Sequence, residues 1–194
     1  MSVDFEEDED LIEDDEWLTP QQIARRSIIL TALISVVYGK NLSEIVKWLK
    51  KENLWDEMTP NELEFLSAPE NERAQINLSW KSEALVALLW SINKFHNIPK
   101  LENPIDVDDL NRFSVQCPNS TYEYINTAEL RSEEEIAVEY EVVCNAHWSV
   151  RDAQINNKPI PNNLNSGVVM ERHFGFNYVI GYCALPWDEI TTDT

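Results

Sequence analysis

The sequence predicts an all-α fold: a single compact helical domain over residues 17–194, preceded by a disordered acidic N-terminal arm over residues 1–16. Three observations carry this prediction. Apolar residues recur at helical spacing nearly throughout. Helix-start signals of the Ser/Thr-x-x-Glu/Gln type stand at Thr19, Thr59 and Ser132. No stretch alternates with period two for long enough to demand a sheet. With 194 residues, 43% hydrophobic and 10% aromatic, the chain has enough apolar surface for one packed core.

The elements follow in order. The arm carries ten acids and no base, with only Val3, Phe5, Leu11 and Ile12 to bury. Self-repulsion and the lack of apolar groups keep such a segment unfolded on its own. It serves either as a solvated tail or as an arm that docks on a basic surface. Thr19-Pro20-Gln21-Gln22 then combines an N-cap, a proline at the first helical position and a capping-box glutamine. The helix it opens is expected to run to about Tyr38, with Gly39 as its stop. Its apolar residues cover most of the circumference, which places it centrally. A shorter helix starts near Ser43, and Thr59-Pro60-Asn61-Glu62 opens a brief one through about Leu66.

A long helix is expected over 73–97, closed by Pro99 and Pro104. Short helices are expected near Val107–Phe113 and Tyr122–Leu130. Ser132-x-x-Glu135 opens a helix to about Ile155, whose inward stripe reads Ile136, Tyr140, Val143, His147, Val150. The run Asn156–Asn165 is a loop, because prolines fix its backbone and asparagines tolerate turn geometry. A final helix is expected over 168–182, followed by Trp187-Asp188-Glu189-Ile190.

Charge bounds the function. Against 15 Lys and Arg stand 35 Asp and Glu, a formal net charge of -20. Phosphate backbones and anionic membranes repel such a chain, so no nucleic-acid and no membrane partner is expected. The longest apolar run, Ile28–Tyr38, is too short to span a bilayer. No secretory leader is visible at the start. Cys117, Cys144 and Cys183 are odd in number and widely spaced, which fits reduced thiols in a cytoplasmic protein better than disulfides or zinc. With four glycines and no phosphate-cradling motif, no cofactor is implied.

One concentration of chemistry stands out. His147, Trp148, Arg151 and Asp152 lie on the helix expected from Ser132 to about Ile155. Glu171, Arg172 and His173 open the last one, and Trp187, Asp188 and Asp193 follow it. An antiparallel pairing of the two helices brings these groups together. The reading preferred here is a structural lock, in which Arg151 and Arg172 each contact Asp152, Glu171, Asp188 or Asp193. A metal site is disfavoured, because residues two apart on a helix, such as Glu171 and His173, point about 200° away from each other. A nucleophile is not placed either, although Cys144 stands three residues before His147. No catalytic residue is assigned.

At these residues the chain resembles a known family. His147-Trp148-Ser149-Val150-Arg151-Asp152-Ala153, the Lys158-Pro159 loop, Gly167-Val168-Val169, Glu171-Arg172-His173 and the stretch Trp187–Thr194 carry the likeness. Arg25-Arg26, Trp80-x-x-Glu83-Ala84 and Leu88-Leu89-Trp90 add to it. They are similar to a mainly bacterial family catalogued as domain of unknown function 4272, over roughly residues 20–194. The resemblance implies a compact intracellular domain and brings no established activity or catalytic residues. Phe174-Gly175-Phe176-Asn177-Tyr178 departs from the family pattern, and Gly175 weakens the helix by roughly 1 kcal/mol relative to Ala.

Three functions compete. The first is a protein-binding module, an immunity-type inhibitor or adaptor for a basic partner. The second is a structural or oligomerisation module built on an exposed patch of Trp17, Trp48 and Trp55. The third is an enzyme with an open polar pocket of His147, Arg151, Glu171 and His173.

Overall fold

A computed structural model describes residues 17–106 and 120–193. The expected arm over 1–16 and the short helix near Val107–Phe113 fall outside the described residues. The described chain is all-α, with no strand among its residues. Its helices are α1 (Pro20–Val37), α2 (Leu42–Lys51), α3 (Pro60–Ser67), α4 (Glu72–Ser91), α5 (Thr121–Asn126), α6 (Glu133–Ile155) and α7 (Ser166–Ile180). Short 3-10 turns at Trp55–Glu57, Pro161–Asn163, Tyr182–Ala184 and Trp187–Glu189 link or follow them.

The start signals work as expected. Thr19, Thr59 and Ser132 each cap the helix behind them, and Gln22, Glu62 and Glu135 close reciprocal capping boxes. The stops differ more. The expected helix over 73–97 ends at Ser91, because Asn93 turns to φ 59° and ends the helical ladder. The orphaned carbonyls there are taken by Arg131, whose guanidinium donates to Trp90 O at 2.7 Å and Phe95 O at 2.8 Å. The last helix likewise ends at Ile180 rather than 182, where Gly181 adopts the left-handed conformation at φ 70°.

α4 is flanked by α1 on one side and α7 on the other, α7 carries α6, and α2 and α5 lean on α1. The α4–α7 contact is the closest. A Cβ built on Gly175 would lie 2.7 Å from the backbone oxygen of Ala84 and 2.9 Å from Ala87 Cβ. The departure at Gly175 is therefore a packing requirement: glycine there lets two helix backbones touch across the small residues Ala84 and Ala87.

This reverses the propensity argument. Gly175→Ala gains roughly 1 kcal/mol of helix propensity, but forces apart two backbones that cannot yield as a flexible side chain would. The expected outcome is a net loss of about 1–3 kcal/mol, read by chemical denaturation. A stabilised variant would refute the close-approach account.

Candidate functional site

The helices α6 and α7 pair antiparallel across the Asn/Pro loop. The capping box at Ser132 sets the start of α6, and its register turns Ile136, Val143, His147, Val150 and Ala153 inward, with Tyr140 half-buried. From α7, His173 meets this stripe. His147 Nδ1 and His173 Nδ1 lie 2.9 Å apart, and His173 Nε2 lies 3.4 Å from Cys144 Sγ. The two rings are 5% and 3% exposed and meet edge-on.

A single proton serves the shared Nδ1–Nδ1 bond, so one imidazole donates and the other accepts. Both rings titrate below the ordinary histidine value. Burial draws His173 down to about 4, helped by its neighbour His147, while burial and the Arg151 charge lower His147. Burial also pushes the Cys144 thiol up. A nucleophile, a base and an orienting group are thus in line, yet burial disfavours both the thiolate and the imidazolium that such a pair requires. The line is a neutral polar network inside the helix pair.

Arg172 sits one residue earlier on α7 and points the other way, into the α4 interface. It and Glu83 are both 0% exposed. Arg172 Nε donates to Glu83 Oε2 at 2.9 Å and Nη1 to Pro99 O at 2.7 Å. Nη2 lies 2.8 Å from the same Glu83 oxygen without a hydrogen bond, so the pair is tight but not fully matched. Glu83 Oε1 accepts from Ile105 N at 2.6 Å. Burial lowers the Arg172 pKa against the opposing pull of Glu83 and Glu139, and burial raises that of Glu139.

A third group gathers where α1, α3, α4 and the C-terminal segment meet. Lys81 Nζ pairs with Glu171 at 2.9 Å and sits 3.3 Å from the centre of the Phe174 ring. Trp187 packs edge-on against Phe174 and Tyr178, with Arg26 5.4 Å from its ring. Arg26 in turn donates to buried Glu62 at 3.0 Å, and burial raises the Glu62 pKa. Asp188 accepts from the backbone of Asn61 at 3.0 Å. A cavity of 620 Å³ opens here, lined among others by Glu62, Arg73, Trp80, Lys81, Glu171 and Asp188.

The sequence-predicted cluster is therefore three separate sites. Arg172 is locked, but by Glu83 and not by the carboxylates expected from sequence. Arg151 makes no ion pair among the described residues. Asp152 instead pairs with Lys158 at 3.7 Å and accepts from Asn156 at 2.7 Å. Trp148 faces outward, 61% exposed. His147 and Arg151 line a second cavity of 440 Å³ with Ser166, Thr192 and Asp193, while Glu171 lines the first. The four-residue pocket proposed for an enzyme is not assembled. Among the described residues, no three His, Cys, Asp or Glu side chains converge as a metal site, and no helix is long and apolar enough to cross a membrane.

Sequence reasoning missed Arg26, Glu62, Lys81 and Glu83 as site residues. For two of them a signal existed: Arg26 and Glu83 stand at the edges of the apolar helical runs that begin at Ile28 and Ala84.

Fold and sites together define an all-helical domain whose interior holds paired charges and a neutral histidine pair. The chain belongs to the family described as Domain of unknown function (DUF4272), whose model matches residues 8–190. The match begins inside the acidic segment, ahead of the likeness read from the sequence. Comparison with curated proteins and with solved structures returned no match.

Two measurements test this reading. Arg172→Ala should destabilise by about 3–5 kcal/mol, since it strands a buried carboxylate, whereas the exposed control Lys47→Ala should leave the melt unchanged. The histidines predict a pH dependence. With a folded pKa near 4 against an ordinary 6.5, the unfolded chain holds more protons between these values. The contribution of His173 is complete above the upper value and drains away as pH falls to the lower, a loss on the order of 2–3 kcal/mol. Glu62 and Glu139, raised by burial, act in the opposite direction. The quantity to measure is thus the stability of wild type relative to His173→Gln, which should fall with acidification; a flat difference would refute the neutral-pair assignment.

Proposed function

We propose that this chain is a cytoplasmic protein-binding module for a basic partner, in the manner of an immunity-type inhibitor or adaptor. The observation that carries the reading is the outer face of α6. Val138, Val142, Trp148 and Ile155 are all exposed there, at 58%, 49%, 61% and 71%. They lie on the solvent side of a capped helix of 23 residues, Trp148 and Ile155 along one edge of that face and Val138 and Val142 along the other. The exposed Glu134 and Glu141 run between these two rows. An exposed tryptophan among apolar neighbours is the residue type that anchors interfaces, and the glutamates on the same face with a net charge of -20 favour a basic counterpart and speed its approach.

A structural or oligomerisation role has less support. Trp17, Trp48 and Trp55, the patch it called for, pack half-buried against the core. Self-association through the exposed face of α6 would bring like charges of two copies together across a two-fold axis.

The test is affinity capture at low ionic strength from the native cell, followed by titration of the purified captured protein. Capture of a protein of basic isoelectric point is expected, released at high salt. Trp148→Glu should weaken the purified interaction by about thirtyfold or more, and Lys47→Ala should leave it intact. Capture that survives Trp148→Glu, or of acidic proteins only, would overturn the reading.

A further inference from the structure

We propose that the 440 Å³ cavity between α6, the first turn of α7 and the C-terminal segment binds a small zwitterionic ligand of the α-amino-acid class. This site is separate from the outer face of α6 and does not rest on the role assigned to it. Three polar groups of different character face the one volume: the Arg151 guanidinium, the Asp193 carboxylate and the His147 imidazole. Arg151 and Asp193 pair neither with each other nor with another charge among the described residues. That is unlike Arg25, Arg26, Arg131 and Arg172, each of which holds a glutamate.

The two unpaired charges select the ligand by sign. A simple anion drawn to Arg151 meets the Asp193 carboxylate, and a simple cation drawn to Asp193 meets the guanidinium. A molecule carrying both charges answers both, with its carboxylate on Arg151 and its ammonium on Asp193. Its zero net charge also avoids repulsion by a chain of net charge -20. His147 supplies the third point. Its ring is 5% exposed and its Nδ1 is engaged by His173, which leaves Nε2 without a protein partner where the residue lines the cavity.

The shared proton gives that nitrogen unusual latitude. When His147 Nδ1 donates to His173, Nε2 offers a lone pair; when His173 donates instead, Nε2 carries a hydrogen. Either state is neutral, so His147 meets a ligand acceptor or donor without adding charge. Val150 and Met170 give the same cavity an apolar wall for a side chain. The volume falls within the roughly 300–1,000 Å³ usual for small-molecule sites.

Isothermal titration calorimetry of the full chain with the standard L-amino acids, one at a time, tests the proposal. At least one should bind saturably. Its Nα-acetyl derivative and its carboxamide should each bind about tenfold more weakly or worse, because each loses one charge-assisted contact. Arg151→Gln should match the effect of amidation and Asp193→Asn that of acetylation, each variant losing little more on the already crippled ligand. Both side chains are exposed, so the variants should keep the wild-type melt. Absence of saturable binding, an amide or acetyl derivative that binds as well as the parent, or equal binding of inorganic phosphate with no dependence on Asp193 would each overturn the assignment.

Discussion

The buried pair of Glu83 and Arg172 sets the constraint to which the rest of the domain conforms. It joins the middle of α4 to the first half of α7, and both side chains are fully removed from solvent. Two ions in such a place gain little net stability over apolar residues of the same volume. What they impose is register. A slip of one turn between α4 and α7 would separate them and leave two uncompensated charges, at a cost of several kcal/mol. The same register brings Gly175 onto Ala84 and Ala87, three residues from Arg172 and one from Glu83. Ionic pairing and backbone approach thus specify one alignment. The unused oxygen of Glu83 then holds Ile105 N, and Arg172 holds Pro99 O, so the chain leaving α4 is fastened to the same point.

Two further bases of this acidic chain tie its helices together from within. Arg26 joins α1 to α3 through Glu62, and Lys81 joins α4 to α7 through Glu171. Each cation also lies near an aromatic face, Arg26 near Trp187 and Lys81 near Phe174, which replaces part of the lost hydration. Trp187 is consequently the centre of a small box, and it anchors the C-terminal segment. Asn177 donates to Thr191 O at 2.7 Å, and Asp188 holds the start of α3. By this chain of contacts Thr192 and Asp193 come to rest beside His147 and Arg151.

Local grammar was legible in the sequence and long-range pairing was not. Helix starts were read correctly because an N-cap and its box lie within four residues, as at Thr19 and Ser132. The end of α4 was misread because it depends on Arg131, forty residues beyond Ser91 in the chain. The inward position of His147 followed from spacing along α6, but its partner depended on how α7 turns about its axis. The polar residues of the C-terminal third looked like one cluster because they are close in sequence. On α7, Glu171, Arg172 and His173 are consecutive, so each faces a different neighbour: Lys81, Glu83 and His147. Glu83 lies 89 residues before Arg172, and no local pattern connects them.

Adjacent residues on α6 serve different surroundings. His147 is buried against α7, while Trp148, the next residue, stands out from the surface. The helix between them is continuous from Glu133 to Ile155, held at its start by Ser132 and along its inner face by the histidine pair. Energetic coupling between two sites requires an element with two arrangements that both ligands bias. A capped helix packed in one register supplies rigidity instead. On this structure a partner seated on the outer face of α6 and a ligand held in the cavity would therefore bind with additive free energies. The close spacing of the two sites reflects the period of the helix, which turns successive side chains through about 100°.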